Sequence, residues 1–379
     1  GRAFYATKAL NTTALLQLLA QEGMGFDVVS GGEFYTALKA GVNPKIILFH
    51  GNNKNREELE LALSNGIGTI VIDNFYEIEL LEQVAKQLGV VVSCLLRVTP
   101  GVDAYTHKYI ITGNEDSKFG FDLNNGQADR ALSYLHNHEV FDLKGIHSHI
   151  GSQIFGEEGY MIAMDRIFSK LLEWKIQHGF TPRVLNIGGG FGIRYSMRDH
   201  LKPYEGFITL VVEKFIKRCN EIDIPVPQLW IEPGRSVVGE AGTTLYTIGA
   251  RKEIPGIRTY VSVNGGMTDN IRPALYQAVY EAVLSNRMLD ETEEEVTIAG
   301  RCCESADVLV ENIKLAQAKP GDTLAIFCTG AYGYSMASNY NKVPRPAVVF
   351  VENFKDQLVV RRETYDDLIQ YDFPLEVEE

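Results

Sequence analysis

The chain has no apolar run near the roughly 18 residues of a membrane span. Its start shows no basic, apolar, small-residue succession of the secretory kind. It begins on Gly1 rather than Met, already inside a strand pattern, so a preceding segment is expected. Cysteine is scarce: Cys94, Cys219, Cys302, Cys303 and Cys328 are an odd set without framework spacing. Such a set excludes a disulfide scaffold and a zinc-ligand pattern, so no metal is expected and a reducing, cytoplasmic compartment is. Basic residues are outnumbered, 36 against 49, and form no stripe, so nucleic acid is not an expected partner. No low-complexity linker or internal repeat interrupts the 379 residues. A dinucleotide fingerprint is missing too, because Ile193 stands where Gly188 and Gly190 would need a third small residue.

What is present is an ordinary globular composition, 45% hydrophobic and 22% charged. Short apolar runs at 4–6, 26–30, 46–49, 69–72, 90–98, 143–150, 184–187 and 228–231 read as strands. Most are followed by amphipathic text, the first helix being capped by Asn11 and the longest covering about 160–178. Strands alternating with helices pair in parallel through crossovers. Eight such units fit a (β/α)8 TIM barrel over residues 1–238, with a doubly wound sheet as the alternative. From 239 to 379 the text changes to strands punctuated by turns, with one helical stretch at 273–284, and predicts a mostly β domain. A polar insertion spans 103–119.

In such barrels the chemistry lies at the C-terminal ends of the strands. Those ends carry Lys8, Ser30, His50, Asn74, Arg97, His149, Gly188-Gly189-Gly190 and Glu232-Pro233-Gly234-Arg235. Lys8 is either a surface lysine at a strand tip or an amine that forms a Schiff base with a carbonyl compound. The glycines after strands seven and eight stand where these barrels bind phosphate, since glycine lets backbone N–H groups approach an anion. His147 and His149 share a strand face. A metal-dependent hydrolase would carry such a pair on its first strand, and here it is on the sixth. His147 is therefore expected to be a satisfied core histidine, and His149 to suit stacking on a planar ring. A phosphate site, a lysine and a carboxylate at one barrel mouth point to pyridoxal phosphate, with Glu232 holding the pyridine nitrogen protonated.

Six motifs occur in order across nearly the whole chain: Tyr-Ala-Thr-Lys-Ala at 5–9, His-Ser-His-Ile-Gly-Ser-Gln at 147–153, Asn-Ile-Gly-Gly-Gly-Phe-Gly at 186–192, Glu-Pro-Gly-Arg at 232–235, Cys-Glu-Ser at 303–305 and Gly-Ala-Tyr at 330–332. Together they resemble the fold-type III pyridoxal-phosphate decarboxylases. The resemblance implies a barrel with a C-terminal β domain and a homodimer whose active sites are shared. It assigns Lys8 to the cofactor aldehyde, His149 to the ring face, and Ser152, Gly188, Gly189, Gly190 and Gly234 to the phosphate. Glu232 goes to the ring nitrogen within the Glu232-Pro233-Gly234-Arg235 turn. Arg235, Arg272 and Tyr276 are implied as contacts of substrate carboxylate. Cys303, the proton donor, and Glu304, the reader of a distal ammonium, are implied to come from a partner subunit. Tyr332 would touch cofactor and substrate. Asp27, Glu33 and Arg97 would support the lysine and ring, and 103–119 would lie by the site.

A distal end bearing both charges suits Glu304 with Arg272 and Tyr276, so the expected substrate is meso-2,6-diaminopimelate, giving L-lysine and carbon dioxide. Ornithine, arginine and carboxynorspermidine are the alternatives within the resemblance. A non-catalytic pyridoxal-phosphate carrier would leave the β domain and Cys303-Glu304 without a role. A Schiff-base aldolase would leave Glu232 and His149 unexplained.

Overall fold

A computed structural model describes residues 1–102, 117–197, 199 and 203–375. They fall into two compact units: Gly1–Ile193 with His200–Val237, and Arg194–Asp199 with Val238–Glu379. Residues 103–116 of the polar insertion lie outside the described residues.

The first unit alternates strand and helix: β1 Arg2–Ala6, α1 Thr13–Gln21, β2 Gly25–Val28, α2 Gly31–Lys39, β3 Ile47–Phe49, α3 Arg56–Ser64, β4 Thr69–Ile72, α4 Phe75–Leu88 and β5 Val92–Thr99. After the insertion come β6 Phe121–Asp122, α5 Gln127–Asn137, β7 Phe141–His147, α6 Glu158–His178, β8 Val184–Asn186, α7 Tyr204–Glu221, β9 Gln228–Ile231 and the short α8 Arg235–Val238. All of its strand pairs are parallel. β1 pairs with β2 on one side and with β9 on the other, which closes an eight-stranded (β/α)8 barrel; β6 adds to β5 outside the ring. Phe4, Leu48, Val71, Leu95, Val184 and Trp230 fill a layer of its interior, with the Phe4 and Trp230 rings 4.7 Å apart. Removing one such aromatic costs about 3–5 kcal/mol.

Local chemistry explains where several helices start. Ser30 and Asn74, which the strand ends expose, are N-caps: their side-chain oxygens accept from the Glu33 and Glu77 amides. Asn55 and Glu58 form a reciprocal capping box at α3. The first helix is capped by Thr12 rather than Asn11, because the Thr12 hydroxyl is the one that reaches the Leu15 amide.

The second unit holds a six-stranded sheet in the order β12-β15-β10-β11-β13-β14. Its strands are β10 Thr244–Ile254, β11 Arg258–Val263, β12 Ala282–Leu284, β13 Glu294–Ala299, β14 Val308–Leu315 and β15 Thr323–Ile326. Pairing is antiparallel except between β11 and β13. A separate hairpin joins β16 Val348–Glu352 to β17 Lys355–Val360 through Asn353 and Phe354, both at positive φ, before α10 Tyr365–Ile369. The helix expected over 273–284 is a single turn, α9 Arg272–Tyr276. Gln277 takes the left-handed conformation (φ 53°) that ends it, and 282–284 joins the sheet as β12.

Candidate active site

Lys8 lies in the short 3-10 turn Thr7–Ala9 directly after β1, with its side chain exposed. The turn is held from two sides. The Ala6 amide donates to the Pro233 carbonyl at 3.0 Å, and the Thr7 hydroxyl, with one proton to give, lies 2.9 Å from Asp27 O and 2.8 Å from Glu33 Oε2. The Lys8 charge bears on Asp27, Glu33 and His149. Burial nevertheless raises the Asp27 carboxyl to about 6, against the pull of His50 and Lys8, and Asp27 Oδ1 has no hydrogen-bond partner.

Glu232 follows β9 and is buried. Its Oε1 accepts from His50 Nε2 at 2.8 Å and Asn186 Nδ2 at 2.6 Å, and its Oε2 from His147 Nε2 at 3.1 Å. Burial alone would raise this carboxyl. The two histidines more than reverse that and hold it well below the ordinary carboxylate range. Burial pushes the His147 imidazole down to about 4, so it donates as a neutral ring. The same three side chains bring one potential metal-ligating atom each within 4.8 Å of one another. The hydrogen bonds account for that closeness.

His149 lies past the end of β7, not on it. Its Nδ1 accepts from the Gly189 amide at 3.3 Å, and burial, with the Lys8 and Arg97 charges, holds its pKa well below the ordinary value. It presents an uncharged ring. Arg97 donates to Asp73 at 3.3 Å and lies over the Phe119 ring at 4.5 Å, at the described edge of the insertion.

The glycine turns are built by close backbone approach. A Cβ on Gly189 would lie 2.0 Å from the Glu232 carbonyl oxygen, and Gly190 adopts φ 102° with Gly151 O 2.3 Å from its would-be Cβ. Gly188 is tied to this wall by the Asn186 side chain, which accepts from its amide at 2.9 Å. Gly234 packs against Ala6 and Ala9. Arg235 Nη2 donates to Ser152 Oγ at 3.0 Å. These residues fit pyridoxal phosphate. An ionised, anchored carboxylate suits a protonated ring nitrogen, a neutral imidazole suits the ring face, and side-chain-free backbone beside an Arg–Ser pair suits a phosphate.

The sequence-expected residues Lys8, His149, Ser152, Gly188–Gly190, Glu232, Pro233, Gly234 and Arg235 thus all belong to the barrel unit and to the loops at its strand ends. The expectation that His147 is a satisfied core histidine is corrected: one nitrogen serves Glu232 and the other, Nδ1, is buried with no partner. Sequence reasoning missed His50 and Asn186 as partners of Glu232. The signal was their position at strand ends, but nothing in the one-dimensional pattern shows that strands β3, β7, β8 and β9 aim at one carboxylate.

Arg272, Tyr276, Cys303, Glu304 and Tyr332 belong to the second unit. Arg272 is buried, bonded to the Tyr280 hydroxyl and 4.8 Å from the Tyr195 ring centroid. Tyr276, at the other end of the same turn α9, is exposed, and the partner of Arg272 is Tyr280 just beyond it. Cys303 and Glu304 are exposed in a loop organised by Asp307, which accepts from the Met267 and Cys302 amides at 2.6 and 2.8 Å. Tyr332 holds a left-handed backbone (φ 59°), uncommon for a residue with a side chain.

Comparison with known proteins accords with this geometry. Residues 1–239 match the model of the pyridoxal-dependent decarboxylase pyridoxal-binding domain. Diaminopimelate decarboxylase of Bacillus subtilis is 55% identical over 370 residues, covering 98% of this chain and 84% of that protein. The corresponding enzyme of Bacillus methanolicus is 55% identical over 358 residues, 94% of this chain and 83% of its own. Among solved structures, diaminopimelate decarboxylase of M. jannaschii in complex with L-lysine superposes with a TM-score of 0.93 at 35% identity, covering 99% of this chain and 85% of that one. The chain belongs to the pyridoxal-dependent decarboxylases, and within them to the diaminopimelate decarboxylases.

Proposed function

We propose that this chain removes one α-carboxylate of meso-2,6-diaminopimelate as carbon dioxide and leaves L-lysine, the closing step of lysine synthesis. The observation that carries the reading is the buried Glu232 carboxylate, held ionised by three N–H donors beside a neutral His149. Bound pyridoxal phosphate supplies the electron sink for the carbon that loses its carboxylate. Glu232 would accept the ring N–H and keep that proton in place. His149 would cover a ring face without adding charge. Gly188, Gly189, Gly190, Gly234, Ser152 and Arg235 would take the phosphate, and the Lys8 amine would hold the group at its aldehyde carbon, the aldehyde oxygen leaving as water. Asp27, Glu33 and Arg97 support that end of the site.

In this reading the protein is a homodimer. The Cys303 thiol of one copy delivers a proton to the α-carbon after carbon dioxide departs, and Glu304 beside it reads the distal ammonium. Arg272 and Tyr276 answer the distal carboxylate, with Arg235 and Tyr332 at the reacting end. The M. jannaschii relative solved with L-lysine supports lysine as the product. We take residues 1–238 as the cofactor-binding barrel and 239–379 as the β domain. The described helices include none long and apolar enough to cross a membrane, and the five thiols are free, which supports a cytoplasmic setting.

The test is direct. The purified protein is expected to be yellow, to bleach on borohydride treatment at Lys8, and to release carbon dioxide from meso-diaminopimelate in preference to ornithine or arginine. Lys8→Ala is expected to abolish turnover. A colourless protein refutes the cofactor assignment, and a preference for ornithine refutes the substrate.

A further inference from the structure

We propose that His50 is a positioning residue of the reaction. With His147 it clamps the Glu232 carboxylate so that a single acceptor direction is left for the cofactor's ring nitrogen. The inference rests on the reading of Glu232 as that nitrogen's partner. An ionised carboxylate offers about four acceptor positions, two on each oxygen. Oε1 is saturated by His50 Nε2 and Asn186 Nδ2. Oε2 takes one bond from His147 Nε2, which leaves one position, on Oε2. Rotation of the carboxylate about its terminal bond would break three hydrogen bonds at once.

The two imidazoles are themselves locked. Their ring centroids lie 4.7 Å apart in an edge-on packing, 66° between planes, and both side chains are buried. The tautomer of His147 is set by geometry. Its Nδ1 is buried without a partner, so a proton there would be an unsatisfied donor costing about 1–3 kcal/mol. The proton is therefore on Nε2, aimed at Glu232. His50 reaches across the barrel from the end of β3, and its Nε2 also lies 3.6 Å from the otherwise unpartnered Asp27 Oδ1. Two imidazoles buried in a barrel interior and directed at one oxygen pair are an expensive way to fill space. Apolar side chains would pack as well, and would leave Glu232 free to turn or to take up a proton.

The test is a double-mutant cycle on the full-length protein, read both as pyridoxal-phosphate dissociation constant by equilibrium dialysis and as kcat and KM. His50→Leu is expected to lower kcat about 10–100-fold with KM within about threefold, and to weaken cofactor binding several-fold. His50→Gln, whose amide can still donate, is expected to recover most of both. In a Glu232→Ala background His50→Leu is expected to change neither quantity further. Losses that multiply in the double variant overturn the proposal, because His50 then acts without Glu232. If Glu232→Ala alone leaves cofactor affinity and kcat at wild-type values, the assignment of Glu232 itself falls, and that outcome is separate. Should His50→Leu not fold, the pair His50→Gln and His50→Asn carries the same test, since asparagine is too short to reach Glu232. Equal activity of the two overturns the proposal.

Discussion

Gly189 has no freedom to carry a side chain, and the reason lies in its neighbour. The atom 2.0 Å from its would-be Cβ is the backbone oxygen of Glu232, which cannot swing aside as a flexible side chain would. Gly189→Ala must therefore push the end of β9 outward and carry the Glu232 carboxylate with it. We expect a stability loss of about 1–3 kcal/mol, with cofactor affinity falling by more than that loss alone would bring. Gly206 on the exposed side of α7 is the matched control, because nothing lies within 4 Å of its would-be Cβ. Gly206→Ala should be neutral or stabilising by up to about 1 kcal/mol. Thermal melts and cofactor titration of the two variants, side by side, check the contrast; equal behaviour would sink it.

At the scale of elements, one buried ion pair ties two βα units together. Lys54, in the loop after β3, donates to Gly51 O and Val71 O at 2.9 Å each and to Glu77 Oε1 at 2.7 Å. Glu77, in the first turn of α4, accepts the Asp73 amide with its other oxygen. Asp73 in turn holds Arg97 and the Gly120 amide. Lys54→Met leaves the Glu77 carboxylate buried without its cation and should cost about 3–5 kcal/mol, whereas the paired change Lys54→Met with Glu77→Leu should recover part of that loss. Differential scanning calorimetry of single and double variants decides it, and a double variant less stable than the single would refute the account. Such ties were not legible in the sequence, although most elements were. The barrel strands announce themselves as short apolar runs because both faces of each are buried. The strand β14 is hard to read in one dimension because Asn312 sits at φ 51°, the register to β13 shifts nearby, and strict apolar alternation is absent. The candidate site divides in the same way. Lys8, His149, the glycines and Glu232 stand at strand ends that can be counted off in one dimension. The convergence of His50, His147 and Asn186 on Glu232 depends on barrel closure and register, which the sequence does not display.

For the whole molecule, buried groups with shifted pKa values make stability depend on pH in both directions. Burial raises Asp27 in the barrel and Asp269 in the second unit to about 6, from 3.8 in the unfolded chain, and raises Glu33 and Glu77 as well. Asp27 is faced by His50, Glu232, Lys8 and Glu33, and Asp269 by Asp307, Arg301, Arg362 and the Gly266 amide. Where the folded state holds a proton that the unfolded chain has lost, stability falls as pH rises. The contribution of each aspartate is therefore complete below about pH 3.8 and disappears as pH passes 6, a change of about 3 kcal/mol per group. Glu232, Glu294 and Asp322 are shifted the other way; their contributions are present above their unfolded values and disappear as pH falls. His147 and His149 also oppose the aspartates: burial keeps both neutral where the unfolded imidazole is charged, so their contribution grows as pH rises toward 6.5. Asp269→Asn removes one source of the fall toward alkaline pH. It should raise the melting temperature at pH 8 while leaving it nearly unchanged at about pH 3.5, where the aspartic acid is largely uncharged in both the folded and the unfolded chain. Equal melting temperatures of the two proteins at pH 8 would show that burial of the Asp269 charge does not govern stability there.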